Sequence, residues 1–178
     1  MLFRSNVCLG FWVIALIQRS SWLIDPYWTL IPLFIAAFYA LHPLASPEFL
    51  RLALALAVLI VWSLRLTANY FRRERWRFGF REDWRFAQRR AASRHFWWFQ
   101  FFYIHLAQQA MLVGLTLPFW AVCFRDAPLG PWDLLLAGFA LAGVAVAHVA
   151  DTQLDAFMRE NQVRKARGEP PEQILRSE

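Results

Sequence analysis

The sequence predicts an all-α, multi-pass transmembrane helical bundle of about five spans with a cytosolic C-terminus. Three observations carry this expectation. Of the 178 residues, 58% are hydrophobic, and the mean hydropathy is positive. Only 18% are charged, where a soluble domain carries roughly a quarter. Most of those charges fall in two blocks, Arg65–Arg94 and Arg159–Glu178, with long stretches of few or no charges outside them. Segregation of this kind marks a chain whose solvent alternates between water and lipid. The length suits one domain, so residues 1–178 are expected to form a single transmembrane domain.

A helix needs about 20 apolar residues to cross the hydrocarbon core. Val7–Ile17 is short, and spans either with its flanks or as a helix trimmed at its N-terminus. Arg4 precedes it without a small-residue cleavage site behind, so it is not read as a secretory signal. Trp28–Leu44 is the second span, with Pro32 expected in its first turns, where a missing N–H is tolerated. Leu50–Leu66 is the third. It leads into residues 72–94, expected as a basic cytosolic loop. Phe96–Cys123 is the fourth, and Pro118 inside it predicts a kink or an ending. Trp132–Ala150 is the fifth. From Asn161 onward the chain is polar and contains proline, so 161–178 is expected as a loop-like tail. Cys8 and Cys123 sit in apolar runs without ligand spacing, which predicts packing rather than a disulfide or a metal site.

Orientation follows from arginine. Residues 72–94 hold nine of them against Glu74, Glu82 and Asp83, while the Glu48–Arg51 and Arg125–Asp126 connections hold one each. The positive-inside rule puts 72–94 and the tail in the cytosol, the Arg19–Asp25 turn with them, and the N-terminus outside. The location is an integral membrane: the cytoplasmic membrane of a bacterium, or the endoplasmic reticulum of a eukaryote. Trp22, Tyr27, Trp28, Trp76, Trp84, Trp97 and Trp98 fall at the expected boundaries, where aromatic residues anchor a span.

Polar residues inside spans are costly and need a reason. Trp62, Arg65, Asn69 and Arg72 share one helix face at the end of the third span. Either Arg65 snorkels to head groups, or the face holds an anion. His105, Gln108 and Gln109 must face the bundle interior; interhelical hydrogen bonds account for the glutamines, and His105 is either a packing residue or a proton donor. His148, Asp151 and Asp155 form a stripe where the fifth span meets the cytosol, which pairs with arginine or accepts hydrogen bonds from a ligand. The loop NYFRRERWRFGFREDWRFAQRR interleaves arginine with aromatic residues. Its flanking spans argue against nucleic acid, leaving attraction to anionic lipid or arginine forks on a dinucleotide's phosphates. The chain contains no GxGxxG, Walker, HExxH or GxSxG motif.

At WSLRLTANYFRR and REDWRF the sequence resembles the steroid 5-alpha-reductase-like family, in particular its bacterial and plant branch. IDPYW, FFYIHLAQQ, LPFW and ADTQLDAF extend the resemblance over nearly the whole chain. It implies a membrane enzyme that uses NADPH to reduce a C=C bond conjugated to a carbonyl in a small hydrophobic substrate, lipid or sterol-like, with a protein acid assisting. By motif, Tyr70 is a candidate catalytic residue; His105, from its place inside the fourth span, is the other. Asn69, Arg73, Asp83, Arg85, Asp151 and Gln153 are the candidates for cofactor binding. The resemblance also implies a RHPNYxGE-type motif beyond the GEP stretch. Residues 1–178 are therefore expected to be the N-terminal part of such an enzyme, inactive alone and completed by a C-terminal segment. Two alternatives stand beside this: an isoprenylcysteine methyltransferase-like enzyme using S-adenosylmethionine, and a non-catalytic membrane scaffold whose basic loop docks lipid.

Overall fold

The computed structural model describes residues 2–74 and 82–172, with side chains from residue 9 onward. Trp76, the rest of 75–81, and tail positions 173–178 lie outside the described residues. Among the described residues all regular structure is helical: α1 (Leu2–Gln18), α2 (Ile24–Ala40), α3 (Phe49–Arg73), α4 (Trp84–Ala92), α5 (Phe96–Phe124) and α6 (Pro131–Ala166). Three of these, α3, α5 and α6, are long and apolar enough to cross a membrane, with α1 and α2 shorter apolar helices. The chain divides by contact into two compact units, Met1–Gly130 and Pro131–Glu178.

In the first unit α2 packs against both α3 and the second half of α5, and α1 packs against the first half of α5. The core is Tyr27, Ile35, Ala36, Tyr39, Leu59, Leu112, Phe119 and Cys123. Next to these, Leu64, Met111, Leu117 and Trp120 stay exposed. A helix that is apolar on both its buried and its outer faces suits a hydrocarbon solvent.

Helix ends explain where the expected spans and the observed helices part. α3 starts where the Glu48 carboxylate accepts from the Leu50 and Arg51 N–H groups, at 3.1 and 2.7 Å, and it continues past the apolar run to Arg73. The expected 72–94 loop contains α4, because Asp83 caps it by accepting from the Arg85 N–H at 2.9 Å. The polar tail also needs correction. Helix α6 runs through Asn161 to Ala166, and closes where Gly168 adopts φ 76° and the Glu169 N–H reaches the Arg164 carbonyl. Pro32 is not in a first turn, since α2 begins at Ile24 and carries it inside. Pro118 does not end its helix either.

Helix α5 has an unexpected feature. Gln100–Leu106 is π-helical, between α-helical Phe96–Phe99 and Ala107–Phe124. Gln100 and Gln109 lie nine positions apart, so in a straight α-helix they would face about 180° apart. Both are buried, because the wider π turns wind each residue through a smaller angle.

Candidate functional site

The interior glutamines find partners on α2. The Tyr27 hydroxyl bonds Gln109 Oε1, and Trp28 Nε1 donates to Gln108 Oε1 at 2.7 Å. Tyr27 is therefore a core residue rather than an interfacial anchor, while Trp84 and Trp98 are exposed. Ser63 Oγ donates to the Thr29 carbonyl at 2.5 Å, tying α3 to α2 one turn before Pro32. His105 is buried within the π-helical stretch.

The charged cluster forms where α3 ends and α2 begins. Arg73 Nη2 donates to Asp25 Oδ2 at 3.2 Å, and its Nε lies 3.6 Å from Glu74 Oε1. The guanidinium carbon stands 6.0 Å from the centre of the Tyr70 ring. Tyr70, Arg73 and Glu74 meet because they stand at i, i+3 and i+4 of one helix. Asn69 precedes Tyr70 directly, so it leaves the helix about 100° away and is half-buried on another side.

Asp83 and Arg85 join this cluster from α4. Arg85 Nε and Nη2 grip the Asp83 carboxylate at 3.0 and 2.5 Å. Those hydrogen bonds hold the Asp83 carboxyl below its usual pKa range, and Asp83 in return raises Arg85. Asp25, in the turn that enters α2, moves the other way. Burial pushes its carboxyl up, Arg73 opposes this, and the charges of Asp83 and Glu74 push it further. Arg85 also acts on Asp25, and Arg73 on Asp83, so these groups share one electrostatic neighbourhood.

A strap holds α4 in place. Glu82 accepts the Ser21 N–H at 2.6 Å and a two-pronged grip from Arg90 at 2.7 and 2.6 Å. Ser21 Oγ in turn accepts from Gln100 Nε2 at 2.6 Å, at the start of the π-helical stretch. The α1–α2 turn thereby fixes both the segment that carries α4 and the start of the π-helical stretch of α5.

Among the described residues, the buried Tyr70 hydroxyl and Glu74 Oε2 in this cluster have no hydrogen-bond partner. Both residues are only 5% exposed. Each such group, desolvated and unsatisfied, calls for an explanation.

Four of the candidate residues, Tyr70, Arg73, Asp83 and Arg85, thus come together. Asp151 and Gln153 stand on α6 in the second unit; two positions apart on a helix, they do not share a face. Near them Thr152 Oγ1 donates to the His148 carbonyl at 2.8 Å, and Asp155 pairs with Arg159 at 2.8 Å. Asp25 and Glu74 belong to the cluster without having been singled out. Asp25 lies within IDPYW, which was its available signal. Glu74 had none beyond being an acid among arginines. Among the described residues no group of His, Cys, Asp or Glu is arranged to hold a metal ion.

A family model described as a protein of unknown function (DUF1295) matches residues 11–172. No curated protein and no solved structure matches the chain.

Proposed function

The chain belongs to the DUF1295 family, and from that premise, with the resemblance of its motifs, we propose that it is a membrane-embedded NADPH-dependent reductase of a conjugated C=C bond in a lipid or sterol-like substrate. The observation that carries this reading is the convergence of Tyr70, Arg73, Asp83 and Arg85 from two segments around Asp25.

The residues suit a dinucleotide. The side chains of Arg73 and Arg85 are 58% and 69% exposed. Their bonds to Asp25, Glu74 and Asp83 use Nε and Nη2, so among the described residues Nη1 of each is left for phosphate oxygens. Asp83 holds the Arg85 fork in one orientation, so little freedom is lost when it grips an anion. The buried Tyr70 hydroxyl supplies a donor for a carbonyl oxygen at the inner end of the cluster. His105, deeper in the apolar span, is the second candidate acid. For Asn69, Asp151 and Gln153 the support is the motif resemblance alone.

When bound, NADPH supplies hydride to one carbon of the double bond. The chain's own part is to grip phosphate with Arg73 and Arg85, orient a carbonyl through a hydroxyl, and give up a proton from Tyr70 or His105 to the neighbouring carbon. The apolar outer faces of α3 and α5 suit a substrate that arrives from the bilayer.

The test is a titration of NADPH against the full-length protein in lipid nanodiscs. Arg85→Lys keeps the charge but loses the fork, and is expected to weaken binding about tenfold. A scaffold whose basic surface docks lipid needs charge alone, and the exposed Trp84 on α4 suits such docking. Unchanged NADPH affinity in Arg85→Lys favours the scaffold and removes the cofactor assignment.

A further inference from the structure

Tyr70 and Glu74 stand one helical turn apart at the cytosolic end of α3, where Glu74 is the C-cap residue and its N–H bonds the Tyr70 carbonyl at 3.0 Å. Residues at i and i+4 point the same way, with Cβ atoms about 5–6 Å apart. Tyr70 ends in a hydrogen-bond donor. Glu74 presents Oε2, which only accepts while the carboxylate is ionised. Both atoms are buried and unsatisfied, although Arg73 lies beside each residue. The pair is thus a fork with one donor prong and one acceptor prong, and both prongs are without a partner among the described residues.

The charges around the fork narrow what fills it. Arg73 lies near the other Glu74 oxygen, Oε1, so the carboxylate already has a counterion and does not require a cationic ligand. A phosphate or carboxylate would meet Glu74 Oε2 head on. What remains is a neutral group that accepts at one atom and donates at another, and a primary carboxamide does both. Resting on the reading of the site as a dinucleotide site, we infer that Tyr70 and Glu74 recognise the carboxamide of the nicotinamide ring, Tyr70 donating to its oxygen and Glu74 Oε2 accepting from its N–H.

This division of labour places phosphate recognition on Arg73 and Arg85 and ring recognition on the last turn of α3. Tyr70 then serves as a positioning residue for the cofactor, and the proton of the reaction falls to His105. A carboxamide held at both ends fixes the rotation of the ring, and with it the face that is turned to the substrate.

The experiment compares binding of NADP⁺ with that of its 3-acetylpyridine analogue, in which a methyl ketone replaces the carboxamide. The analogue keeps the carbonyl oxygen and loses the N–H donors. It uses the full-length protein in nanodiscs, with calorimetric titration as the readout and no turnover required. Wild type is expected to prefer NADP⁺ about tenfold, the range of one hydrogen bond to a charged group. Glu74→Ala is expected to abolish that preference, any change through its neighbour Arg73 falling on both ligands alike, and Tyr70→Phe to weaken both ligands alike. Glu74→Gln, which retains an accepting oxygen and the side chain's shape, is expected to keep a reduced preference. Equal binding of both ligands by wild type overturns the inference without recourse to any variant. So does a full preference surviving in Glu74→Ala, and if NADP⁺ binding stays sensitive to Arg85→Lys, the proposed function stands without it. Failure of wild type to bind either ligand overturns both.

Discussion

The charge of Asp83 acts on Asp25, yet the surroundings of the two carboxyls push them in opposite directions. Asp25 is raised chiefly by burial, and Asp83 is lowered chiefly by the hydrogen bonds of Arg85. For Asp25 the folded protein binds the proton more readily than the unfolded chain, so protonation favours the fold as pH falls. For Asp83 the sign reverses: its contribution is present at neutral pH and fades as pH falls through its depressed folded value. Asp25→Asn is accordingly expected to melt higher than wild type near neutrality, with the gap closing on acidification through the carboxylate range. Asp83→Asn is expected to melt lower near neutrality, with its deficit closing over the same range and reaching further into acid. Melting curves of the three proteins from neutral to acid pH check this, and gaps of one sign for both variants would contradict it. Part of this cluster was legible from sequence, because Tyr70, Arg73, Asp83 and Arg85 lie in distinctive motifs. Glu74 lies in none, and Asp25 lies in IDPYW, where nothing but the motif marks it out. An acid in the first turn of a helix reads as a partner of the helix dipole, and an acid among nine arginines reads as surface charge. Only the packing of α2 against α3 makes either one part of a site.

The helices show where sequence reasoning reaches and where it stops. Apolar length identified α2, α3, α5 and α6, since crossing hydrocarbon demands it. It stopped short of their ends, because α3 and α6 continue into polar sequence that capping and ordinary helix propensity sustain. Helix α4 was missed for a related reason. Nine residues rich in arginine show no apolar run, and one carboxylate, Asp83, starts the helix. Packing inside the first unit makes its own prediction. Leu112 is fully buried between α2 and α3, while its neighbour Met111 is 63% exposed. Lipid is as apolar as leucine, so burial here stabilises through close contact rather than through escape from water. Leu112→Ala is expected to cost about 2 kcal/mol or more through the cavity it leaves, and Met111→Ala under about 0.5 kcal/mol, as an exposed position does. Denaturation in a fixed detergent distinguishes them, and equal losses would mean that α5 does not pack as described.

At the scale of the whole molecule, charge and apolar length have to agree on one arrangement in the bilayer. Helices α3, α5 and α6 are each long enough to cross, and the charged cluster gathers at the end of α3 that the positive-inside rule places in the cytosol. In the five-span reading, α1 and α2 cross as well, and the Ser21–Glu82 strap joins two connections on the same side of the membrane. The two sides of the molecule can be told apart directly. A reporter fused after Arg94 is expected to report the cytosol, and one at Asp126 the opposite side. A cytosolic signal at Asp126 would mean that α5 does not cross in the direction proposed.

The π-helical stretch carries a consequence for how this chain can lengthen or shorten. Its wider winding stores one residue more than an α-helix needs to bring Gln100 and Gln109 to the same side. Loss of one residue from Gln100–Leu106 would let the stretch rewind as α-helix with the two glutamines eight positions apart, about 80° around the axis and still within one stripe. The same loss a few turns later, in Ala107–Phe124, would swing everything beyond it through about 100° and turn Phe119 and Cys123 out of the core. Helix α5 thus has one place where its length is negotiable, and it is the place that holds His105.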